Sequence, residues 1–243
     1  MIPRDHPRYA SLVTREHLAE SACLGIVSWE GLIAHGRGEA FDYLLGEKTT
    51  DSARRAAQTA AAFLRTARHP VISVNGNTAA LAAQEIALLQ KASGALVEVN
   101  LFHRTPDRVQ KIEALLEAAG ATVFSGTAER LLPLSHDRAW CRREGMYAAD
   151  VVLVPLEDGD RCGVLVEMGK KVIAIDLNPL SRTAHMATLT IVDEVTRALP
   201  VIAEACSSLS DEECRNLLAA LDNQVFLKDA RYEIKERMCH ALD

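Results

Sequence analysis

Val71-Ile72-Ser73-Val74-Asn75-Gly76-Asn77-Thr78 joins a short run of strand-forming residues to a polar turn. The first four residues predict a buried strand, and the last four predict a turn and the cap of a helix. That helix is expected from Ala79 to about Ala92, and Gly94 is placed to end it. Because a strand that leads through a tight turn into a helix is the repeating unit of α/β proteins, this stretch indicates the fold class.

The same alternation of strands and helices continues toward the C-terminus. Strands are predicted at residues 95–100, 122–124, 151–154, 171–175 and 189–192. Helices are predicted between them, and one is introduced by Thr105 as a cap with Pro106 at the first helical position. Continuously apolar strands separated by helices predict an α/β fold, in which a mainly parallel Rossmann-like sheet is covered by helices on both faces.

Polar clusters follow three of the predicted strands, at Asn75–Asn77, Glu157–Arg161 and Asp176–Asn178. In open parallel sheets, ligands bind beyond the carboxyl ends of the strands, and these clusters therefore predict one ligand site. The dinucleotide fingerprint Gly-x-Gly-x-x-Gly is not completed after Gly36-Arg37-Gly38, because Phe41 occupies its last position. A dehydrogenase is therefore disfavoured.

The N-terminal segment, residues 1–68, is predicted to be helical. Thr14 is placed to cap one helix, and Thr50 caps a long alanine-rich one whose small side chains suit a subunit contact. Between them, Gly36-Arg37-Gly38 is interpreted as a loop that feeds a short helix at 40–45. Such a loop is either an anion site, because the first N–H groups of a helix are unpaired, or an ordinary turn with a surface arginine.

Residues 1–206 are predicted to form a single α/β domain that includes the helical segment 1–68. A charged C-terminal helical extension is predicted at 207–243, where Ser210-Asp211-Glu212-Glu213 forms a capping box. The basic segment 125–150 is interpreted as solvated surface in preference to a loop over the site.

Composition narrows the class of protein. The chain has 243 residues, 49% of them apolar, and a formal net charge of −6, which argues against a nucleic-acid surface. No apolar run approaches the ~20 residues of a membrane span, and residues 1–7 lack the apolar core of a signal peptide. The six cysteines form neither Cys-x-x-Cys pairs nor zinc-like clusters. A cytoplasmic protein with reduced cysteines is expected.

Four blocks of the sequence resemble archaeal 4-phosphopantoate–β-alanine ligase, a family also called phosphopantothenate synthetase. They are Ile33–Glu47, Val71–Asn77, Val154–Arg161 and Ile175–Thr183, in the family's order. The resemblance implies an ATP-dependent acid–amino-acid ligase of coenzyme A biosynthesis. Such an enzyme joins 4-phosphopantoate to β-alanine and releases AMP and pyrophosphate through an acyl-adenylate. The resemblance also implies a homodimer.

The resemblance further implies roles for individual residues. It places the nucleotide at Arg15, Arg37, Asp176, Leu177, Asn178, Arg182, Thr183, Asp193 and Glu194. Glu194 departs from the asparagine that the family often has there. Substrate contacts are expected at His35, Asn75, Gly76 and Asn77, and the candidate catalytic residues are Arg37, Lys48 and Asp158.

Some of these side chains have a structural alternative. Arg15 would otherwise be a solvated arginine, Lys48 a cation near a helix C-terminus, and Asp176 the centre of a local Asx turn. Mg²⁺ is expected to accompany ATP, but its ligands are not assigned. The carboxylates beside the motifs would either hold the metal or pair with neighbouring cations: Glu39, Asp42, Glu157, Asp158 and Asp160.

A second function from another class competes with the ligase. A non-catalytic nucleotide-binding or sensory domain would use the same edge of the sheet without turnover. The cations and carboxylates gathered at several strand ends favour catalysis, and formation of AMP in the presence of both substrates distinguishes the two functions.

Overall fold

Three helices open the computed structural model, which describes residues 2–240. They are α1 (Tyr9–Cys23), α2 (Trp29–Leu45) and α3 (Asp51–Thr66). Ser28 caps α2, Thr50 caps α3 as predicted, and Gly46 ends α2 with a φ of 97°. The N-terminal segment is therefore helical, as the sequence indicated.

A five-stranded parallel sheet forms the centre of the protein. Its strands are β1 (Pro70–Val74), β2 (Leu96–Val99), β5 (Val151–Pro155), β6 (Lys171–Ile175) and β7 (Leu189–Ile191), in the order β2-β1-β5-β6-β7. Between β2 and β5 the chain forms a small antiparallel hairpin from β3 (Ala128–Arg130) and β4 (Trp140–Arg142). A 3₁₀ turn, Asp137–Ala139, leads into β4, and a π-helical turn, Arg143–Tyr147, follows it.

Helices cover both faces of the sheet, which confirms the predicted fold class. The later helices are α4 (Gly76–Ser93), α5 (Pro106–Ala118), α6 (Gly159–Glu167), α7 (Arg182–Met186), α8 (Val195–Ser208), α9 (Asp211–Ala219) and α10 (Asn223–Cys239). Alternate residues of β5 pack into the cores on opposite faces of the sheet. Leu153 packs with residues of α3, α4 and α8, whereas Val152 and Val154 pack with residues of α6. This alternation is the period of two expected of a sheet that is buried on both sides.

The strand order places a topological switch point between β1 and β5. After β1 the chain crosses to β2 on one side, and it later returns to β5 on the other side. The loops beyond these two strands therefore diverge and leave a crevice at the carboxyl edge, where open α/β sheets bind ligands.

The interpretation of Gly36-Arg37-Gly38 as a loop is wrong. These residues lie in the middle of α2, which runs unbroken over 17 residues. Glycine in a helix interior costs only about 1 kcal/mol relative to alanine, and the Ser28 cap together with packing offsets that cost. Another glycine of the helix is required by packing, because a Cβ on Gly31 would lie 2.3 Å from Oδ1 of Asn77.

Two further local predictions are also wrong. Thr14 caps no helix, because it lies inside α1, where its hydroxyl donates to the Ala10 carbonyl at 2.9 Å. Residues 122–124 form no strand, since a single bridge between Val97 and Val123 is all that joins them to the sheet.

The alanines of α3 do not face a subunit contact. Ala53, Ala56, Ala57, Ala60, Ala61 and Ala62 are all buried within this chain. The helix packs closely against α8 and α9, which explains its small side chains.

The helices beyond residue 206 pack on the rest of the protein. The helix α9 contacts α3, and α10 contacts α2 and β7, with Leu227 and Ala230 buried. The proposed division of the chain at residue 206 stays a prediction. Within residues 2–240, no helix combines the length and the apolar character needed to cross a bilayer.

Candidate functional site

A cavity of about 340 Å³ opens at the switch point. It is lined by α2 (Gly31, Ala34, His35, Arg37), by the start of α4 with its cap (Asn75, Gly76, Asn77), by the segment after β2 (Leu101, Phe102, His103), by Arg108 of α5, and by Arg138, Leu156 and Asp158; Ser28 and Glu30 complete the rim. The structure therefore brings together most of the predicted substrate and catalytic residues, which are far apart in the sequence.

Two asparagines build the floor of this cavity. Asn75 accepts from the Thr78 N–H as the cap of α4, and its Nδ2 donates to the Pro155 and Leu156 carbonyls, both at 3.0 Å. Asn77 donates to the Gly31 carbonyl at 2.8 Å, which ties α4 to α2. Because both side chains hold the floor together, the donors best placed for a ligand here are the first N–H groups of α4.

The helix α2 contributes His35 and Arg37. Burial lowers the pKa of His35, and Arg15 adds to that effect while Glu39 opposes it. His35 is therefore neutral at pH 7 and is able to donate or accept a hydrogen bond. The Arg37 guanidinium has no hydrogen bond or ion pair to any residue in the part of the chain that the structure describes.

Two more arginines line the cavity, and neither was assigned to the site from the sequence. Arg108 of α5 donates to the Ile26 carbonyl at 3.1 Å and to the His103 carbonyl. Arg138 lies in the 3₁₀ turn, where it donates to the Asn100 carbonyl at 2.9 Å and to Asp158 at 3.1 Å. In the sequence, the carboxylate pair Glu157-Asp158 was the one signal for a buried cation nearby.

The interpretation of segment 125–150 as solvated surface is therefore wrong in part. Arg138 and Arg142 are only 5% and 6% exposed, whereas Arg130 and Arg143 are exposed as expected. Arg142 is buried because its side chain pairs with Glu113 at 2.9 Å and donates to the Gly126 carbonyl, which fixes the hairpin.

A buried charge cluster lies beside the cavity. Arg161 is fully buried, pairs with Glu157 and donates to the Ser73 hydroxyl at 3.1 Å. Glu157 also accepts from the Asp158 N–H, and Arg138 lies 3.4 Å away. Burial would raise the pKa of Glu157, but Arg138 and Arg161 outweigh burial and lower it. Glu157 is therefore ionised and holds the loop in which Asp158 lies.

Each carboxylate proposed as a metal ligand is paired with an arginine. The pairs are Glu39–Arg15, Asp42–Arg197, Glu157–Arg161, Asp158–Arg138 and Asp160–Arg182. Over residues 2–240, no three His, Cys, Asp or Glu side chains converge as a metal site would require. The cation pairing that the sequence offered as one alternative is thus present for all five carboxylates.

The loop after β6 lies next to this cavity. Asp176 accepts from the Asn178 N–H at 2.9 Å and from the Ser181 hydroxyl, so the Asx turn is present. Burial raises the pKa of Asp176, although these hydrogen bonds and Arg37 oppose the rise. Arg37 therefore lines the cavity and is also close enough to Asp176 for its charge to act on that carboxyl.

Further along the same loop, the predicted nucleotide residues are held in different ways. The Leu177 side chain is buried among Leu45 and Val192, which leaves its backbone for any ligand. Arg182 is exposed and pairs with Asp160. Thr183 donates to the Glu157 carbonyl at 2.7 Å and thereby joins the loops after β5 and β6.

Other predicted residues lie outside the cavity. Lys48 is 3.5 Å from Glu233 in a separate depression at the start of α3. Asp193 is buried and accepts from Arg197 and from Thr49, while Glu194 caps α8. Arg15 is held by Glu39, two residues beyond Arg37 on α2.

A parallel sheet with a cation-lined cavity at its switch point defines a Rossmann-like α/β protein with a site suited to anionic ligands. The chain belongs to the phosphopantothenate/pantothenate synthetase family, whose model matches residues 52–237.

Relatives of the chain are similar over essentially their whole length. A 4-phosphopantoate–β-alanine ligase of Methanospirillum hungatei is 61% identical over all of both chains. Its counterpart in Methanosarcina mazei is 53% identical over 98% of this chain and 95% of its own. The one in Thermococcus kodakarensis is 46% identical over 98% and 93%. This similarity supports an ATP-dependent ligase over a binding-only domain.

Proposed function

We propose that this ligase joins 4-phosphopantoate to β-alanine and forms 4′-phosphopantothenate, AMP and pyrophosphate in coenzyme A biosynthesis. The observation that carries the proposal is the 61% identity, over the full length of both chains, to the Methanospirillum hungatei protein, which is named for that reaction. It is supported by the convergence of His35, Arg37, Asp158 and Asn75–Asn77 on one cavity, since these residues come from three of the four sequence blocks.

The cavity and the loop after β6 offer places for the two larger substrates. We place 4-phosphopantoate in the cavity, against the start of α4, and ATP along Asp176–Thr183 with its phosphates toward Arg37. Arg37 suits the junction because it lines the cavity and its charge acts on Asp176. Arg15 would reach the phosphates once they compete with Glu39 for its guanidinium.

The reaction would proceed in two steps. A carboxylate oxygen of 4-phosphopantoate attacks the α-phosphorus of ATP and displaces pyrophosphate, which leaves an acyl-adenylate. The β-alanine amine then attacks the acyl carbon, and AMP leaves as the amide forms. Negative charge builds up on phosphate oxygens in the first step, where a preorganised arginine stabilises the transition state.

Magnesium would arrive with ATP, because residues 2–240 offer no dedicated carboxylate cage for it. Mg²⁺ in nucleotide sites commonly keeps several waters and is held mainly by the phosphates. The metal would supply counter-charge to the phosphates when bound. The roles assigned to Arg37, His35 and Asp158 concern binding and orientation of the substrates.

The products distinguish the proposed ligase from other chemistry. With ATP, Mg²⁺, 4-phosphopantoate and β-alanine, AMP and 4′-phosphopantothenate are expected in equal amounts, as resolved by chromatography. Omission of 4-phosphopantoate should abolish AMP formation. ADP as the stoichiometric nucleotide would overturn the adenylate route in favour of an acyl-phosphate, and absence of both nucleotides would favour the binding-only domain.

We also propose a homodimer, with α2 in place of α3 as the contact. One face of α2 carries a stripe of residues that follow one another at intervals of 4, 3, 4 and 3: Trp29, Ile33, Gly36, Ala40 and Tyr43. Trp29 is 70% and Ile33 72% exposed. The small residues at the centre of the stripe would let two copies of α2 cross closely about a two-fold axis.

Substitution of the stripe tests this dimer. Light scattering is expected to give twice the 26.5 kDa of one chain for the wild type, and a single-chain mass for Ile33→Glu. Burial of a carboxylate in an apolar contact is unfavourable enough to separate the subunits. Leu88→Glu, at an exposed leucine of α4, is the control and should remain dimeric. A monomeric wild type would refute the proposal.

A further inference from the structure

Arg108, like Arg37, has no carboxylate partner among residues 2–240, which distinguishes it from Arg138 and Arg161 beside the cavity. Arg138 and Arg161 each form an ion pair with Glu157, whereas Arg108 forms none with any residue between 2 and 240. Its Nε is buried and lacks a hydrogen-bond acceptor in the same range. Burial lowers the pKa of Arg108, with Glu30 opposing that effect. A half-buried cation without a counter-charge is costly, and it therefore suits an anionic ligand.

Two donors of this guanidinium remain available to a ligand. An arginine carries five N–H donors, and Arg108 uses two of them on the carbonyls of Ile26 and His103. These two bonds fix the plane of the guanidinium without neutralising it. Apart from the buried Nε, each terminal nitrogen keeps one donor, and this planar fork can bind two oxygens of a phosphate or a carboxylate.

The guanidinium lies at the start of α4, which adds a second positive element. A Cβ on Gly76 would lie 3.2 Å from Nη2 of Arg108 and 2.3 Å from the Ile26 carbonyl oxygen. Arg108 is thus directly against the first residue of α4, whose first N–H groups are unpaired and can donate to an anion, although the backbone of α4 is kinked at Ala82. The glycine is required because any side chain would fill this space.

We propose that Arg108 and the first N–H groups of α4 bind the phosphate of the acid substrate, and that this contact makes the enzyme select a phosphorylated acid over its unphosphorylated form. The inference rests on the proposed function, because it takes 4-phosphopantoate as the acid. Arg37 also lines the cavity, and its charge acts on Asp176 in the loop assigned to ATP. In this arrangement Arg108 holds the phosphate of the acid substrate and Arg37 lies where its carboxylate would meet ATP.

Binding measurements without ATP test this selection. Calorimetry with the wild-type protein is expected to show tighter binding of 4-phosphopantoate than of pantoate. In Arg108→Gln, the ratio of the two affinities should fall by about 10- to 100-fold, because a charge-assisted contact to the phosphate is lost. Arg108→Lys keeps the charge without the planar fork, and its affinity ratio should lie between those of the wild type and Arg108→Gln. Arg104→Gln is the control, since Arg104 is also partly buried but does not line the cavity, and it should keep the wild-type ratio.

Other outcomes would overturn the proposal. If Arg108→Gln weakened both acids by the same factor, Arg108 would merely anchor the segments at Ile26 and His103. An unchanged ratio, or a wild type that does not distinguish the acids, would also refute it. If Arg108→Gln does not fold, the ratio for Arg108→Lys decides. The proposed function has its own refuting outcome: a wild-type protein that binds 4-phosphopantoate preferentially but forms no AMP.

Discussion

Arg37→Ala is expected to lower kcat/KM for ATP by about 10²–10³-fold while the protein remains folded. Arg37 projects from the middle of α2 into the cavity and has no partner among residues 2–240, so its donors are available to the nucleotide phosphates. Loss of one preorganised donor to an oxyanion typically costs about 3–4 kcal/mol in the transition state. Steady-state kinetics with AMP as the measured product gives this value.

The same substitution should leave the free energy of unfolding almost unchanged. Arg37 is exposed, and surface substitutions usually change the free energy of unfolding by less than about 0.5 kcal/mol. Arg54→Ala, at an exposed arginine of α3, is the matched control and should keep full activity. Wild-type kinetics in Arg37→Ala would exclude the assigned role, and a large drop in Tm would show that Arg37 is structural.

Glu157→Gln is expected to lower the free energy of unfolding at pH 7 by about 3–5 kcal/mol. The substitution would leave Arg161 and Arg138 buried without their shared counter-charge. Two nitrogens of Arg161 already lack acceptors within residues 2–240, so the cluster has little capacity to compensate. For a chain of this size the loss corresponds to a fall in Tm of about 6–20 °C, which calorimetry measures.

The effect should depend on pH in a defined direction. The pKa of Glu157 is lower in the folded protein than its ordinary value of 4.5, so the folded state favours the carboxylate. Its stabilisation is therefore complete above about pH 4.5 and is lost as pH falls through the lower, folded pKa. The difference in Tm between wild type and Glu157→Gln should shrink below pH 4.5. Glu167→Gln, an exposed position of α6, should match the wild type; equal stability of Glu157→Gln and wild type at pH 7 would contradict the role of the cluster.

The sheet was predictable because its signals are local. The strand at Val71–Val74, the cap at Thr50 and the glycine at 94 each depend on residues within one turn of the chain, whereas the helix expected from Ala79 begins earlier, at Gly76, with Asn75 as its cap. The position of the site followed from topology, since polar residues after parallel strands must meet at one edge. These inferences needed no knowledge of which elements pack together.

The wrong predictions concern residues whose conformation or burial depends on tertiary contacts. Gly36 and Gly38 look like loop residues locally, but the Ser28 cap and the contact of Gly31 with Asn77 make one helix of the whole stretch. Arg138 looked solvated because its partners, Asn100 and Asp158, are distant in sequence. Arg108 was missed for a related reason, because only the orientation of α5 turns it toward the cavity.

The long helix α2 gives the C-terminus an influence on the site. Its 17 residues span about 25 Å, and its last turn is held by α10, through Leu227 packed near Leu45 and through Arg237, which donates to the Leu44 carbonyl at 3.1 Å. Arg37 lies about two turns from that end, and the far end reaches the rim of the cavity at Glu30.

A change in how α10 holds this end would tilt α2 against the Asn77 contact at its other end. A tilt of about 10° would displace the far end by about 4 Å, whereas a misplacement of about 1 Å is enough to impair a catalytic step. The contacts of α10 therefore contribute to the positions of His35 and Arg37, although α10 itself does not line the cavity.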